Sequence, residues 1–298
     1  MRVSSNSEFL NAMADIDRAA ANLARWQAQV SSGRRLEAAS DDPAAAARAV
    51  VEHAEVGAMD QYVRTAETAT ARLTAIDSVL SDMVDRLTSA RASATAAVGT
   101  VATDAQRAAI ASDLEGIADT LLSDVNTSFG GRYVFAGTST LTSPYARQAD
   151  GSVSAYQGDA NAVSLDIDRN RVVTVAFDGR ALVQGADAED VFACLASLAA
   201  AIRSNDQAGI RGGLDGLDRA LDRAVAFQSR VGADLSNIDD EQSRLAALKQ
   251  ASLARLSAAE DANMAEAVSQ MSKGDAAYQA ALGAVGARSR LTLLDYLR

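Results

Sequence analysis

The sequence has very few of the residues on which most enzymes and disulfide-linked proteins depend. Its 298 residues include one cysteine, one histidine, one tryptophan and two prolines. A single cysteine excludes an internal disulfide, and a zinc site normally takes several histidine or cysteine ligands. A histidine-dependent triad would have to use His53, which lies in a plain helical stretch between two glutamates. We therefore expect no enzyme and no catalytic, cofactor or metal site.

Positive charge and long apolar runs are scarce as well. The chain carries 39 acidic against 28 basic residues, with a net charge of −11 and no basic run. This balance argues against nucleic-acid binding, which needs clustered cations. The best apolar run, residues 191–202, is far shorter than the roughly 18 residues of a transmembrane span. The first ten residues lack the apolar segment of a Sec-type signal peptide, so neither a membrane span nor such a signal is expected.

Three weak candidates for chemistry remain. Cys194 lies in an apolar helical segment with no evident base, which favours a small buried hydrophobic residue over a nucleophile. Asp215, Asp218 and Asp222 share one helix face, and Asp166 and Asp168 share one strand face. Solvated acidic surfaces explain both groups better than metal or acid–base sites, because metal ligands normally come from several elements.

Alanine dominates what is present. Of the 298 residues 66 are alanine, and only 4% are aromatic. Alanine loses no side-chain entropy in a helix, whereas aromatic side chains supply much of the area buried in a thick core. The composition therefore predicts helices that pack closely on one another rather than a bulky globular core.

The spacing of apolar residues predicts long helices in the first half. An amphipathic stretch over residues 9–30 ends at Gly33, which suits a helix C-cap. A polar joint, 34–42, precedes Pro43, a favoured first helical residue after a capping Asp or Ser. From there we expect a helix to about Val101, with a heptad-like seam of steps of three and four residues. That seam comprises Met59, Tyr62, Ala66, Ala69, Leu73, Ile76, Leu80, Met83, Leu87, Ala90, Ala94, Ala97 and Val101.

A helical hairpin and a β region follow. Thr103 and Gln106 form a capping-box pattern that restarts a helix, so two helices should fold back near residues 99–103. Between residues 129 and 177 lie six of the 13 aromatic residues. Residues 133–135 are interpreted as a strand. Alternating apolar residues over 163–167 and 173–177 predict a hairpin around residues 168–170, and Asp178–Gly179 predicts a further turn.

Helices return after the β region. Acidic residues over 187–190 suit a helix start, and a second seam of the same three–four spacing runs from Ile210 to Leu245. Residues 257–260 are a capping-box candidate and a possible joint, followed by a last amphipathic stretch with Met264, Val268, Met271, Tyr278, Leu282 and Val285.

This plan predicts a mainly α fold, an elongated coiled-coil-like helical rod built from both termini with a small β domain inserted in its middle. Residues 1–40 with 258–298 are expected to form paired terminal helices, 41–138 with 187–257 the rod, and 139–186 the β domain. Because the terminal helices match in length, they can pair with each other.

Four motifs resemble the bacterial flagellin superfamily. They are the joint 32–44, the segment 131–138, residues 261–267 and the ending 293–297. The first is similar to the N-terminal segment of flagellins and of the protein at the hook–filament junction, and the last resembles the junction protein rather than flagellin. By this resemblance the assembly motifs comprise Ser32, Gly33, Leu36, Ser40, Asp41, Asp42, Pro43, Tyr133, Phe135, Gly137, Leu293, Leu294, Asp295, Tyr296 and Leu297.

The resemblance implies an exported, extracellular structural subunit of the flagellum. Such a subunit would travel unfolded through the growing flagellum, with an export chaperone, and would self-associate in a ring or helical layer. Another hook-associated protein would lie on its hook side and flagellin on its filament side. Two alternatives stay open. One is flagellin itself, and the other is a cytoplasmic coiled-coil adaptor or signalling module with an inserted β unit.

Overall fold

The computed structural model describes residues 2–98 and 103–296, and the side chains of residues 7, 9–98 and 103–287. Seven helices and four short strands lie in these ranges, with all four strands between the third and fourth helices. The mainly α fold with a small β region in the middle is therefore confirmed. The elements are α1 (Arg2–Ser32), α2 (Pro43–Ala96), α3 (Asp104–Val125), β1 (Ser128–Phe129), β2 (Arg132–Tyr133), β3 (Val163–Asp168), β4 (Arg171–Ala176), α4 (Gly179–Val183), α5 (Val191–Arg203), α6 (Gln207–Glu260) and α7 (Met264–Tyr296).

The chain divides into two compact units. The smaller unit comprises Met1–Ala58 and Ala247–Arg298, and the larger comprises Met59–Ala246. The smaller unit thus joins both ends of the chain, as the paired terminal helices were expected to do. The strands β1 and β2 precede residue 139, where the β domain was expected to begin. The three-part division into terminal helices, rod and β domain stays a prediction.

The predicted seam of α2 forms the core of the larger unit. From Ala66 to Ala90 every seam residue is at most 2% exposed, and the same holds for Ala94 and for Ala97 just beyond the helix. Val101 lies outside the described residues. The second seam behaves likewise, since Ile210, Leu217, Ala224, Val231, Ile238 and Leu245 on α6 are buried. Small and medium side chains at a three–four spacing therefore do bury one face of each long helix.

Local capping signals place several helix starts correctly. The Thr103 hydroxyl oxygen accepts a hydrogen bond from Gln106 N, and the Gln106 side-chain oxygen accepts one from Thr103 N, which confirms the capping box before α3. The residues where the fold-back was expected, 99–102, lie outside the described range. Asp190 caps α5, and its carboxylate accepts from Ala193 N at 2.8 Å.

The β region differs from expectation at its first strand. The hairpin of β3 and β4 is confirmed, with Leu165 opposite Val173. The expected strand over 133–135 is wrong in extent: β2 ends at Tyr133 and pairs with β1, which was not predicted. Val134 instead donates its amide to Thr127 O at 3.2 Å and accepts from Phe177 N at 2.9 Å, and the side chains of Val134 and Phe135 are at most 1% exposed. Strands of two residues carry too little alternation to be recognised.

Two other local predictions were also wrong. Asp178 and Gly179 were predicted to form a turn, but Gly179 begins the short helix α4. The Asp178 carboxylate accepts from Arg180 N and caps this helix. The capping-box candidate at 257–260 does not restart a helix, since α6 continues to Glu260. The Ser257 hydroxyl instead donates to the Asp261 carboxylate at 2.5 Å, and the break falls over 261–263.

The smaller unit pairs α1 with α7 and has almost no apolar interior. Its only buried hydrophobic residues are Ala45, Ala49 and Ala267, within the described side chains. The face of α7 that is most covered runs through Ala267, Met271 and Tyr278. Met264, Val268 and Leu282, expected on the same seam, are 44–45% exposed. The helices α1 and α7 are in contact, but the apolar residues of α7 occupy more than one face.

The seam of α2 predicts where the larger unit is sensitive to truncation. Leu80 is fully buried, so Leu80→Ala should lower the free energy of unfolding by about 2–5 kcal/mol. Leu141 is 79% exposed in the same unit, so Leu141→Ala should change it by less than about 0.5 kcal/mol. Urea unfolding followed by far-UV circular dichroism measures both. Equal losses in the two variants would contradict the buried seam.

Candidate assembly surface

The joint between α1 and α2 contains seven of the predicted motif residues. Ser32 ends α1, and Gly33 follows with φ of +71°, a conformation that glycine adopts without strain. The Gly33 amide donates to Gln29 O at 2.9 Å, which closes the helix as predicted. Pro43 begins α2. The remaining motif residues, Leu36, Ser40, Asp41 and Asp42, lie between the two helices, with Ser40 and Asp41 in a turn.

Backbone hydrogen bonds tie this joint to the break between α6 and α7. Arg35 N donates to Glu260 O at 2.6 Å, and Ala262 N donates to Gly33 O at 2.9 Å. The Gln29 side chain, only 6% exposed, donates to Arg35 O at 3.3 Å. Two motifs more than 200 residues apart in sequence are therefore brought together in the smaller unit. Leu36 lines a hollow of about 420 Å³ beside them, together with Trp26 and Asn263.

Asp41 and Asp42 fold the joint by accepting hydrogen bonds from backbone amides. Asp41 accepts from Ala38 N at 2.9 Å, and Asp42 accepts from Ala45 N at 3.0 Å and so caps α2. These bonds lower the pKa of both carboxyl groups below their ordinary value, with the Arg35 side chain contributing at Asp42. Each carboxylate thereby satisfies amides that a helix start or turn leaves without a partner.

Ion pairs also hold the joint and the break between α6 and α7 together, and the sequence did not indicate them. Glu260 pairs with His53 at 2.9 Å and with Arg34 at 3.8 Å, and Arg255 pairs with Glu52 at 2.6 Å. His53 is thus an ion-pair or hydrogen-bond partner on the helix surface. These contacts link positions about 200 residues apart, so no local sequence pattern could have indicated them.

The second motif, residues 131–138, forms the base of the β region. Tyr133 ends β2, and Phe135 is fully buried. Gly137 has φ of +64°, and a side chain there would overlap the backbone oxygen of Asp159. The Asp159 carboxylate accepts from Thr138 N at 3.0 Å and from Asn161 N at 2.9 Å. The bond from the Thr138 hydroxyl, followed by those from the backbone amides and the Ser139 hydroxyl, holds the pKa of Asp159 far below its ordinary range.

Tyr156 completes this base from the opposite side. Its hydroxyl donates toward the backbone oxygens of Phe135 at 3.0 Å and Asp159 at 3.1 Å, and it accepts from Gly179 N at 3.3 Å. Burial is the main cause that raises the pKa of Tyr156 to about 12, so the hydroxyl remains protonated at neutral pH. The motif is therefore a packing element of the larger unit.

A charge cluster around the buried Glu241 attaches the β3–β4 hairpin to α6. Glu241 is 1% exposed and accepts from Arg171 at 3.0 Å and from Arg244 at 3.0 Å. Asp168, one of the two candidate strand aspartates, pairs with Arg244 at 2.5 Å. Asp166 is exposed. The two aspartates therefore do not form a paired acid site.

The other candidate residues are structural or surface residues. Cys194 packs against Gly216, and burial raises the pKa of its thiol. Asp218 pairs with Arg91 at 2.7 Å, whereas Asp215 and Asp222 are exposed on α6. Within residues 2–98 and 103–296, no cluster of histidine, cysteine and acidic side chains could hold a metal ion. No helix in those ranges is both long and apolar enough to cross a bilayer.

The C-terminal motif lies on α7. The helix includes Leu293, Leu294, Asp295 and Tyr296, whose side chains lie outside the described range. Leu297 lies outside the described residues.

Exposed apolar side chains are concentrated in the smaller unit. Of the fourteen large hydrophobic residues exposed among the described side chains, ten lie there. We refer to these ten as the terminal apolar set. They are Phe9, Leu10, Met13, Val50, Val51, Leu248, Leu253, Met264, Val268 and Leu282.

The close approach at Gly137 predicts a large effect of a single methyl group. Gly137→Ala must relieve both a left-handed backbone and the overlap with Asp159, so the free energy of unfolding should fall by about 3 kcal/mol or more. Gly131→Ala is the matched control, since its φ is +76° but its side-chain direction is open, and it should cost about 1–2 kcal/mol. Urea unfolding and the near-UV signal of the tyrosines measure the difference. Equal costs would show that the overlap is unimportant.

The joint predicts an acid-sensitive contribution to stability. Because folding lowers the pKa of Asp41 and Asp42, their contribution is present above their ordinary pKa of 3.8 and is lost as pH falls through the lowered values. The double variant Asp41→Asn, Asp42→Asn should thus unfold at a lower temperature than the wild type at pH 6. The gap should narrow below pH 4, as measured by circular dichroism. Ser40→Ala, without a titratable group, is the control, and a gap independent of pH would contradict the assignment.

Comparison with known proteins finds similarity to flagellar proteins, both by family model and by sequence identity. The family model of the bacterial flagellin N-terminal helical region matches residues 3–140. Flagellar hook-associated protein 3 of Escherichia coli strain K12 is 28% identical over 262 residues, which cover 80% of this chain and 81% of that protein.

Two solved structures have the same fold. The crystal structure of Xanthomonas campestris FlgL has a TM-score of 0.61 at 17% identity, over 68% of this chain and 98% of that one. The flagellar junction protein FlgL from Legionella pneumophila has a TM-score of 0.62 at 14% identity, over 72% of this chain and all of that one. The resemblance to the bacterial flagellin superfamily is therefore confirmed, and the chain is related to flagellar hook-associated protein 3.

Proposed function

We propose that this chain is a structural, non-enzymatic subunit of the bacterial flagellum that joins hook to filament. It assembles by packing its terminal helices against those of neighbouring subunits. Its relatives are named for the hook-associated and junction position, and the similarity to hook-associated protein 3 extends over both halves of the chain.

The observation that carries this proposal is the composition of the smaller unit. A helical pair whose buried hydrophobic residues are three alanines gains little from folding alone. The terminal apolar set leaves ten large side chains 37–68% exposed, so each would gain part of the roughly 1.5–3 kcal/mol that full burial of an exposed side chain contributes. Contact with other subunits supplies that burial, so the smaller unit is built for assembly.

The partners follow from the proposed position. The subunit self-associates in a ring or helical layer, with another hook-associated protein on the hook side and flagellin on the filament side. It is secreted to the extracellular flagellum, and an export chaperone covers its terminal helices before export. The assembly motifs of the joint, from Ser32 to Pro43, and of the C-terminus, from Leu293 to Leu297, are proposed to support these contacts. Tyr133, Phe135 and Gly137 support them only by shaping the base of the β region.

A second candidate is flagellin itself. The match to the flagellin N-terminal helical region over residues 3–140 fits this role as well, because that region is shared by the superfamily. The two roles differ in copy number and position. A junction subunit is scarce and located at the filament base, whereas flagellin is the bulk of a sheared filament.

Deletion of the gene distinguishes these roles. We expect cells with hooks, without filaments, and with flagellin released into the medium. Loss of filaments with no flagellin in the medium would indicate that the chain is the filament subunit. Normal filaments in the deletion strain would overturn both roles.

Complementation of this strain tests the terminal apolar set. Val268 and Val225 are matched, since both lie on helices at 44% and 43% exposure, but Val225 belongs to the larger unit. Val225→Glu should restore filaments, whereas Val268→Glu should not, because a charge cannot be buried unpaired in a subunit contact. Far-UV circular dichroism of both purified variants checks that they fold. Equal restoration by both would contradict assembly through the smaller unit.

A further inference from the structure

Tyr145 differs from the other buried polar residues because its hydroxyl makes no hydrogen bond within the described part of the chain. The residue is 2% exposed, and its ring contacts those of Tyr156 and Phe192, each with centroids 5.5 Å apart. The neighbouring Tyr156 hydroxyl, in contrast, takes part in three hydrogen bonds. The other buried polar side chains of the described ranges all have a hydrogen-bond partner, and they are Gln29, Thr140, Ser154, Glu241 and Ser252. Because a buried hydroxyl without a partner is unfavourable, that of Tyr145 is available to a group from outside the chain.

Tyr145 lines a hollow of about 920 Å³ in the larger unit, which we call the Tyr145 hollow. The Tyr156 ring also lines it and is tilted by 45° against that of Tyr145. Two helices start at this hollow, because Asp178 caps α4, Asp190 caps α5, and both side chains belong to its lining. A volume of this size suits a small organic group, and two aromatic rings with a few polar groups are typical of such sites.

The lining of the hollow is negatively charged. It contains one cation, Arg180, and four carboxylates, which are Asp159, Asp178, Glu189 and Asp190. Hydrogen bonds from the Thr138 and Ser139 region already engage Asp159. Across the described ranges, the other three carboxylates have no ion-pair partner, although the nearby Asp187 is paired with both Arg219 and Arg223. The hollow therefore has negative charge to offer to a ligand.

The Tyr145 hydroxyl responds to the charges of this same lining. Burial raises the pKa of Tyr145, the charge of Asp190 raises it further, and Arg180 acts in the opposite direction. The hydroxyl is therefore protonated and neutral at physiological pH. Its oxygen can accept a hydrogen bond from a cation that lies between it and Asp190.

We propose that the Tyr145 hollow binds an organic cation with N–H donors, of the guanidinium or ammonium class. Such a cation donates to the Tyr145 hydroxyl oxygen and to the Asp190 carboxylate, and it lies against the tyrosine rings, whose faces attract positive charge. A guanidinium group fits best, because it is planar, stacks on aromatic rings and carries several donors. The site lies within the larger unit and does not depend on the proposed flagellar function.

The cation has two sources with the same chemistry. One is a small free cation from solution, and the other is an arginine side chain of a second copy of this chain. Arg169, in the turn between β3 and β4, is exposed and has no ion pair within the described residues, so a second copy has a guanidinium to offer.

Titration of the full chain with N-acetyl-arginine amide tests the site, with the tyrosine rings labelled with carbon-13 and followed by nuclear magnetic resonance. We expect saturable shifts of the Tyr145 and Tyr156 signals with a dissociation constant on the order of 1 mM, as for other ligands of this size. N-acetyl-citrulline amide has the same shape without the charge. It should bind at least about fivefold more weakly, because charge-assisted hydrogen bonds are the stronger ones.

Three variants, followed through the Tyr156 signals, separate the contributions. Tyr145→Phe removes only the hydroxyl and should weaken binding of the arginine amide at least about threefold. Asp190→Asn keeps an oxygen for the α5 cap and should weaken binding at least about fivefold. Asp215→Asn is the matched control, since it removes the same charge from an exposed position outside the hollow and should change the affinity by less than about twofold.

Thermal unfolding distinguishes a binding role of the Tyr145 hydroxyl from a structural one. Without ligand, Tyr145→Phe should unfold at the wild-type temperature or above, because the hydroxyl that it removes has no partner in the folded chain. A large fall in its midpoint would overturn the proposal.

Four binding results would overturn it as well. They are no saturable shift with the arginine amide, equal affinity for the citrulline amide, unchanged affinity in Tyr145→Phe, and equal losses in Asp190→Asn and Asp215→Asn.

Sedimentation equilibrium distinguishes the two sources of the cation, and either outcome is consistent with the site. If a second copy provides the guanidinium, the arginine amide, Asp190→Asn and Arg169→Gln should each weaken self-association of the chain, whereas Asp215→Asn should not. If self-association is unchanged by the arginine amide while the shifts hold, the site takes a free cation.

Discussion

Close packing of helices along seams of small side chains is the interaction on which the rest of this structure depends. In the larger unit, the seam of α2 buries alanine and leucine side chains almost completely, and α6 does so at alternate seam positions. Alanine allows helices to approach closely but contributes little buried area per residue. Where a seam also contains leucine, isoleucine and the phenylalanines of the β region, a real core results. Where the large apolar side chains lie outside the contact and alanine is what is buried, as between α1 and α7, the helices pair without an interior.

This constraint explains the different character of the two units. The larger unit holds all of the largest fully buried side chains among the described residues, and it includes an ion pair in which the buried Glu241 meets Arg171. The smaller unit is held instead by hydrogen bonds at the joint and by ion pairs such as Arg255–Glu52, with its large apolar residues outside. Exposed ion pairs contribute modestly to stability. A unit of this kind depends on further contacts to become rigid.

Much of the helical architecture could be predicted from sequence because its signals are local. The seam of α2, the capping box at Thr103 and the C-cap at Gly33 each depend on residues within a few positions of one another. The prediction failed where local patterns were short or ambiguous, as at β1 and at Ser257. The sequence alone could not predict the contact of Glu260 with His53 or that of Arg35 with Glu260. Such contacts depend on how distant segments meet in space.

The joint closed by Arg35 and Glu260 has a consequence for the order of folding. Residues 33–35 find their hydrogen-bond partners at 260–262, so the loop that this contact closes contains most of the chain. The entropy lost on closing a loop grows with its length, and contacts between distant segments form late. The contacts of residues 33–35 with 260–262 therefore form late, whereas the larger unit can complete its core from the residues that lie between them. A chain that emerges gradually from any narrow exit would have its middle folded first and its two ends joined last.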